Sequence, residues 1–462
     1  MGVSPVRELP GLAAAARGLR EERLGAAALM ERCLAARQAE LEAYQTWRPE
    51  QAMAQAELAD RAFAQGSDLG PLQGIPVSVK DLFGLTGYPT YAGSNGPLPE
   101  DWCRDGPFVA RARRQLAAFT GKTRTVEFAF GGVGVNPHWP AVRNPWDRER
   151  ISGGSSSGAG VSLVEGSCLL ALGSDTAGSV RMPASVTGVT ALKTTAGRWP
   201  LAGIVPLSPT LDTVGLLART AEDLGFAFAA LDAERPGPRL PPVDGDLAGI
   251  RIGVPSVLFF DDCDPGIAEA VHDMLKELEA AGARLVPAEL PQVEEAFALF
   301  KAGSVQAAEL YEFLESHFPE KMESLAELVA TRVLSGKELP AVEYLRRRRT
   351  IDRLAAAAQT VFGEIDVLAS PTVAITPPRF DQVAEIEDYR ARNMLILRNT
   401  TMANLMGLCA LTLPAGPDKA GMPVGLHLAG PAMGETRLLE IGRRIEQVAG
   451  TAEKRLGRPP LG

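Results

Sequence analysis

The sequence predicts an α/β protein built around a mostly buried sheet, on three observations. Short β-branched or apolar runs alternate along the chain with longer stretches whose apolar residues recur at three- and four-residue steps. That alternation is the pattern of helices packed on a covered sheet. Of the 462 residues 46% are hydrophobic and 22% charged, the balance of a packed globular chain rather than a disordered or fibrous one.

Residues 11–64 are rich in Ala, Leu, Glu and Arg and read as amphipathic helices, with Pro49 dividing two of them. Gly74-Ile75-Pro76-Val77-Ser78-Val79-Lys80-Asp81 follows a turn and reads as a buried strand ending near Lys80. Residues 131–160 are dense in Gly, Pro, Asn and Ser and should be mostly loop, followed by a short helix and a strand over 167–172. A second small-residue turn spans Gly173 to Arg181, and the proline-rich stretch 234–247 reads as a surface connection. Beyond it, strand 251–254, helix 265–281 and strand 284–286 form a βαβ unit. A helical region over about 292–364 precedes strand 366–369, strands 406–414 and 422–428, and a closing helix 435–448. The expected organisation is an N-terminal helical segment, 1–65, packed on one compact catalytic unit, 66–462, with the helices of 292–364 on its substrate side.

The net charge of −9 is spread thinly apart from Arg346 to Arg349, which reads as a solvated helix face, so no nucleic-acid footprint is present. Five scattered cysteines without CxxC spacing exclude a zinc site or disulfide framework. Neither a secretory leader nor an uninterrupted apolar run of about 18 residues is visible, so the expectation is a cytoplasmic protein without membrane segments.

A serine hydroxyl becomes a nucleophile only when a neighbouring base takes its proton. Of the four histidines, His272 and His317 sit in helical surroundings, His427 in a strand, and only His138 lies in a loop that could approach the serine-rich turns. Lys80 is the other candidate, because burial can lower a lysine pKa from about 10.4 by as much as 3–5 units. Its competing reading is a strand-end residue paired with Asp81.

The blocks Val79-Lys80-Asp81, Gly153-Gly154-Ser155-Ser156-Ser157-Gly158 and Asp175-Thr176-Ala177-Gly178-Ser179-Val180-Arg181-Met182-Pro183-Ala184 resemble those of the amidase signature family, and Ser155 and Ser179 stand 24 positions apart as in that family. The similarity extends from about Gln51 to Gln447, taking in Asn144-Pro145-Trp146-Asp147, Asp212, Ala369-Ser370-Pro371-Thr372, Asn404, Gly407 and Pro423-Val424-Gly425-Leu426. The resemblance implies a large central twisted mixed β-sheet flanked by helices on both faces. It implies Ser179 as nucleophile, Ser155 as a bridging serine after a cis peptide bond, and Lys80 as the ultimate base. Backbone N–H groups of Thr176, Ala177, Gly178 and Ser179 would form the oxyanion hole, with Ser157, Asp175 and Arg181 supporting the relay. Ala177 replaces the commoner glycine there. No cofactor or metal is implied.

Rival readings of the glycine-rich turn fail on context. A phosphate loop needs Gly-Lys-Ser/Thr where Gly158 is followed by Ala159. A nucleophile elbow centred on Ser156 needs a preceding strand, and a Gly/Ser linker would not be embedded between apolar elements. By the same resemblance Phe128, Ala129, Phe130, Gly131 and Gly132 line the acyl pocket, with Trp199, Leu201 and Ile204 either extending that wall or lying in the core. The expected activity is hydrolysis of a small or aryl-bearing amide, with anilides and carbamates as variants, by a monomer or homodimer. Two alternatives stand beside it: the A-type subunit of a glutamine-dependent tRNA amidotransferase, and a silent binding scaffold.

Overall fold

The computed structural model describes residues 9–232, 243–303 and 305–461. Eleven strands form one sheet: β1 (Tyr44–Trp47), β2 (Pro76–Lys80), β3 (Ala118–Thr123), β4 (Leu170–Asp175), β5 (Thr190–Lys193), β6 (Thr213–Ala218), β7 (Arg251–Pro255), β8 (Arg284–Ala288), β9 (Val367–Pro371), β10 (Cys409–Pro417) and β11 (Pro423–Gly430). Their spatial order is β1-β3-β2-β4-β6-β5-β10-β11-β9-β7-β8. The sheet is mixed: β3, β2 and β4 run parallel, as do β9, β7 and β8, while β6, β5, β10 and β11 pair antiparallel.

Both faces are covered, and the strands show it through their period of two. Leu170 and Leu172 of β4 enter the main core, whereas Ala171 between them joins a second cluster with Ala159 and Leu163 of helix Ser157–Glu165. The same alternation separates Leu216 from Leu217 in β6 and Leu192 from Ala191 in β5. Parallel β2 and β4 therefore deliver their C-terminal residues, Lys80 and Asp175, to the same side of the sheet, where ligands bind in α/β folds.

The βαβ unit is present as β7, helix Ile267–Ala280 and parallel β8. The region 292–364 is helical, carrying Gln292–Lys301, Val305–His317, Glu327–Lys337 and Ala341–Ala358. The differences from expectation have physical causes. Pro49 stands between two helices as expected, opening the second, Pro49–Ala64, but the unexpected strand β1 lies between it and helix Ala26–Ala36. The helix Ser157–Glu165 begins inside the glycine-rich turn rather than after it. Strand β10 starts at Cys409, because Met406 and Gly407 (φ 65°) close the helix Ile386–Leu405. That helix was hidden because its buried residues include Asn393, Arg398, Asn399, Thr400, Thr401 and Asn404, which erase the apolar stripe. Of the connection expected over 234–247, residues 234–242 lie outside the described residues, as do 1–8 of the N-terminal segment. Among the described residues no helix is long and apolar enough to cross a membrane.

Strand β3 escaped notice for a related reason: its Gly121 and Lys122 read as a surface pattern. Lys122 is instead fully buried and pairs at 3.0 Å with Asp81, which follows Lys80. Burial pulls the Lys122 amine down and pushes the Asp81 carboxyl up, each opposed by the partner's charge. Removing one member strands the other without water. Lys122→Met should thus cost about 3–5 kcal/mol in urea unfolding, and adding Asp81→Asn should return most of it. A single variant as stable as the parent would show that the pair contributes nothing.

Candidate active site

Strand β2 is buried along its whole length, so the chain carries the Lys80 side chain into a region without water. Its Nζ lies 2.7 Å from Ser155 Oγ, 2.9 Å from Ser174 Oγ and 3.3 Å from the Ser174 carbonyl. Burial lowers the amine to about 7, against the upward pull of the Asp175 and Asp212 carboxylates. A neutral amine has two N–H groups and one lone pair. With both N–H groups donated to Ser174, the lone pair is left for the Ser155 hydroxyl. The alternative partner, Asp81, is taken by Lys122, and so Lys80 is not its strand-end counter-ion. Ser174, which the sequence reading did not single out, completes the setting of the amine.

Ser155 is fully buried, and the peptide bond preceding it is cis. The turn is held by Gly154 N–H donating to the Gly132 carbonyl (2.8 Å) and Val126 N–H donating to the Ser155 carbonyl (3.1 Å). Ser156 N–H donates to the Ser179 carbonyl at 3.2 Å, which brings the two serine turns side by side. Ser157 Oγ bonds back to the carbonyls of Gly134 and Ser155, at 3.4 and 3.3 Å. Ser156, centre of the rejected elbow, is buried with its hydroxyl on the Ser174 carbonyl. Among the described residues no hydrogen bond joins Ser155 Oγ to Ser179 Oγ. Ser179 keeps 4% exposure. Such contacts often close only when substrate is bound.

The second turn is built around Asp175. Its carboxylate accepts from Gly178 N–H (2.8 Å), Val180 N–H (3.2 Å), both Nε and Nη2 of Arg181 (3.0 and 2.9 Å) and Asn404 Nδ2 (3.0 Å). Burial alone would raise this carboxyl. The Arg181 guanidinium, the Lys193 charge and the Asn404 amide outweigh it and hold the group well below the usual carboxylate range. Arg181 is fully buried and also donates to the Thr400 carbonyl, Asn404 Oδ1 and His427 Nε2. His427 therefore accepts as a neutral ring, kept neutral by burial and by that guanidinium.

One expected oxyanion donor is otherwise engaged: Gly178 N–H points to Asp175 and supports the turn instead of facing a ligand. The N–H groups of Thr176, Ala177 and Ser179 have no protein acceptor among the described residues. Ala177 has no positive φ, so its methyl brings no backbone strain, and its carbonyl is fixed by the hydroxyls of Thr400 (2.7 Å) and Thr401 (3.2 Å). Thr176 Oγ1 donates to Asp212 at 2.5 Å. Burial pushes that carboxyl up to about 6, opposed by the Thr176 hydroxyl, the Ser208 and Leu207 N–H groups and the Lys80 charge. Asp212, Thr400 and Asn404 thus shape the turn from remote segments. Asp212 and Asn404 stand among the positions of resemblance in the sequence, whereas Thr400 carries no signal there.

The strip 128–132 runs beside the first turn. Phe128 and Ala129 both have positive φ, 45° and 59°, an uncommon conformation for such residues that burial of the Phe128 ring offsets. Gly132 N–H donates to Asn393 Oδ1 at 2.7 Å. Phe130 is covered by the Arg332 guanidinium, 3.8 Å from the ring centroid, so the wall is not purely apolar. Trp199 stacks in the core against Phe108 and Phe228, and Ile204 bridges to Phe83; with Leu201 packed on that same core, the three belong to it rather than to the wall. His138 meets Glu127 at 2.9 Å, at the edge of the strip, while His272 and His317 stack on Phe260 and Phe313.

Comparison with known proteins places this geometry in context. The family model described as Amidase matches residues 27–439. Over 456 residues the chain is 51% identical to 2-amino-5-chloromuconic acid deaminase of Comamonas testosteroni, covering 97% of this chain and 98% of that one. It is 34% identical to the A-type subunit of the glutamyl-tRNA(Gln) amidotransferase of Halorhodospira halophila, covering 86% and 88%. A solved amidase crystal structure superposes with a TM-score of 0.85 at 30% identity, covering 96% of this chain and all of that one.

Gly178 has φ 128°, and a Cβ there would overlap the Thr400 hydroxyl. Gly178→Ala should therefore lower stability by about 2 kcal/mol or more, with Thr400→Ala relieving only part of the overlap, because the Thr400 Cβ would still stand 2.6 Å away, and none of the backbone strain. Unchanged thermal unfolding of the single variant would contradict the turn geometry.

Proposed function

The chain belongs to the amidase family and is a hydrolase of carbon–nitrogen bonds, and from that premise we propose that it cleaves a small-molecule amide or related C–N bond through an acyl-enzyme on Ser179. The observation that carries this reading is the 2.7 Å contact between Ser155 Oγ and the Lys80 amine, which burial brings down to about 7.

In the proposed sequence Ser179 Oγ attacks the acyl carbon as its proton passes to Ser155 and the Ser155 proton passes to Lys80 Nζ. The oxyanion that forms is met by the N–H groups of Thr176, Ala177 and Ser179, donors already aimed before the charge develops. Collapse of the intermediate expels nitrogen, which takes back the proton from Lys80 by way of Ser155. Water then attacks the Ser179 ester along the same relay and releases the acid. Asp175 and Arg181 act by holding the turn, and Ser157 by holding the first. Substrate closes the gap between Ser155 and Ser179.

We propose further that it is a free-standing hydrolase, monomer or homodimer, acting in the cytoplasm and without nucleic acid; a small-molecule substrate is supported by the relative of 51% identity, whose name makes it a deaminase of a small amino-substituted acid. Identity to the tRNA amidotransferase chain is lower, 34%. The pocket strip Phe128, Phe130, Gly131 and Gly132 suits a short acyl group, aliphatic, unsaturated or aryl-bearing.

Ser179→Ala should lower turnover by about 10⁴-fold or more and abolish the covalent adduct formed by a fluorophosphonate. Lys80→Ala should cost about 10²–10⁴-fold, and Lys80→Arg should not restore it, because a guanidinium stays charged. Since the base must be neutral, kcat/KM should rise with pH through a limb near the Lys80 value of about 7. An adduct on any other serine, or full activity in Lys80→Arg, would overturn the relay.

A further inference from the structure

A half-buried arginine beside the pocket strip has no counter-ion among the described residues. Arg332 lies on helix Glu327–Lys337, with its guanidinium over the Phe130 ring and Nη1 donating to the Phe130 carbonyl at 2.9 Å. Among the described residues no carboxylate pairs with it, in contrast to Arg181 and Arg198, which hold Asp175, Asp232 and Glu435. The carbonyl contact uses one of the five N–H donors that a guanidinium carries. A cation taken out of water without a partner is costly, and its surroundings accordingly pull the Arg332 pKa down.

Two further observations bring this charge toward the second turn. Leu328, four residues earlier and so on the same helix face, packs in one cluster with Ala177 of the second turn. The titratable group that acts on Arg332 is the Tyr389 phenol. Tyr389 is 1% exposed, and its hydroxyl, which has no hydrogen-bond partner among the described residues, would be overlapped by a Cβ on Gly131. A guanidinium with one printed acceptor and no counter-charge, and a phenol hydroxyl with no partner among the described residues, thus converge on Phe130 and Gly131. Gly132, the next residue, accepts the Gly154 N–H that precedes Ser155.

We propose that Arg332, with the Tyr389 hydroxyl, binds a carboxylate carried by the acyl part of the substrate, so that the substrates are small acids bearing an amide or amino group. This rests on the Ser179 reading for its placement of the scissile bond. A planar carboxylate matches the fork of a guanidinium and supplies the missing charge. The Phe130 ring then serves as a platform that keeps the guanidinium flat rather than as an apolar acyl wall.

The test uses maleate, a small dicarboxylate, and maleamide, its neutral diamide of the same shape. Calorimetry on the intact protein should show maleate binding and maleamide binding at least about 30-fold more weakly. Arg332→Gln should weaken maleate by a similar factor and leave maleamide unchanged, Arg332→Lys should keep part of the affinity, and Tyr389→Phe should lose several-fold. Bound maleate should also slow fluorophosphonate labelling of Ser179 in the parent and fail to do so in Arg332→Gln. Equal affinity for the two ligands, or an Arg332→Gln protein that binds maleate as the parent does, overturns the anchor. Absence of label on Ser179 without maleate would instead count against the nucleophile, and the calorimetry still decides the role of Arg332.

Discussion

Lys80 ends a strand whose every side chain is out of water, and its amine has only serine oxygens for company. Desolvation of that single nitrogen sets the chemistry, because an ammonium there would be a donor to all three neighbours and a base to none. The opposing carboxylates, Asp175 and Asp212, limit the shift so that the group sits near neutrality instead of losing its proton altogether. Asp81 is paired with Lys122 and is not among the charges that act on the Lys80 amine.

The second constraint is the Asp175 carboxylate, which organises its own turn by accepting from Gly178, Val180, Arg181 and Asn404. Those bonds tie the end of β4 to the polar face of helix Ile386–Leu405, whose Thr400 and Thr401 hydroxyls fix the Ala177 carbonyl. A carbonyl held outward leaves neighbouring N–H groups free to face a reacting oxygen. The same helix supplies Asn393 to the strip 128–132 and carries Tyr389, so one polar helix holds both the second serine turn and that strip.

The residues of the proposed relay were legible as candidates because each lies in a short contiguous block, where side-chain type and backbone flexibility occur together. The strands β2, β7, β8 and β9 were legible for a similar reason, as compact apolar runs between turns. What escaped notice is built from residues far apart in the chain. Lys122 makes β3 look like surface until its partner Asp81 is seen, and the buried Asn and Thr residues of helix Ile386–Leu405 conceal its packing face. Ser174 and Thr400 act through backbone and hydroxyl contacts that no linear pattern announces. Arg332 reads as an ordinary helix surface residue, and only the absence of a carboxylate around it sets it apart. The commitment of Gly178 N–H to Asp175 likewise needs three-dimensional placement, since the sequence offers four adjacent N–H groups on equal terms.

The most direct measurement is the proton occupancy of the Lys80 amine itself, followed by NMR of nitrogen-15-labelled lysine in the Ser179→Ala protein as pH is raised. A single buried lysine signal assigned to Lys80 should lose its proton near the value of about 7 set by its burial. If that amine stays charged past about pH 9, in the range of an ordinary lysine, it cannot serve as the base.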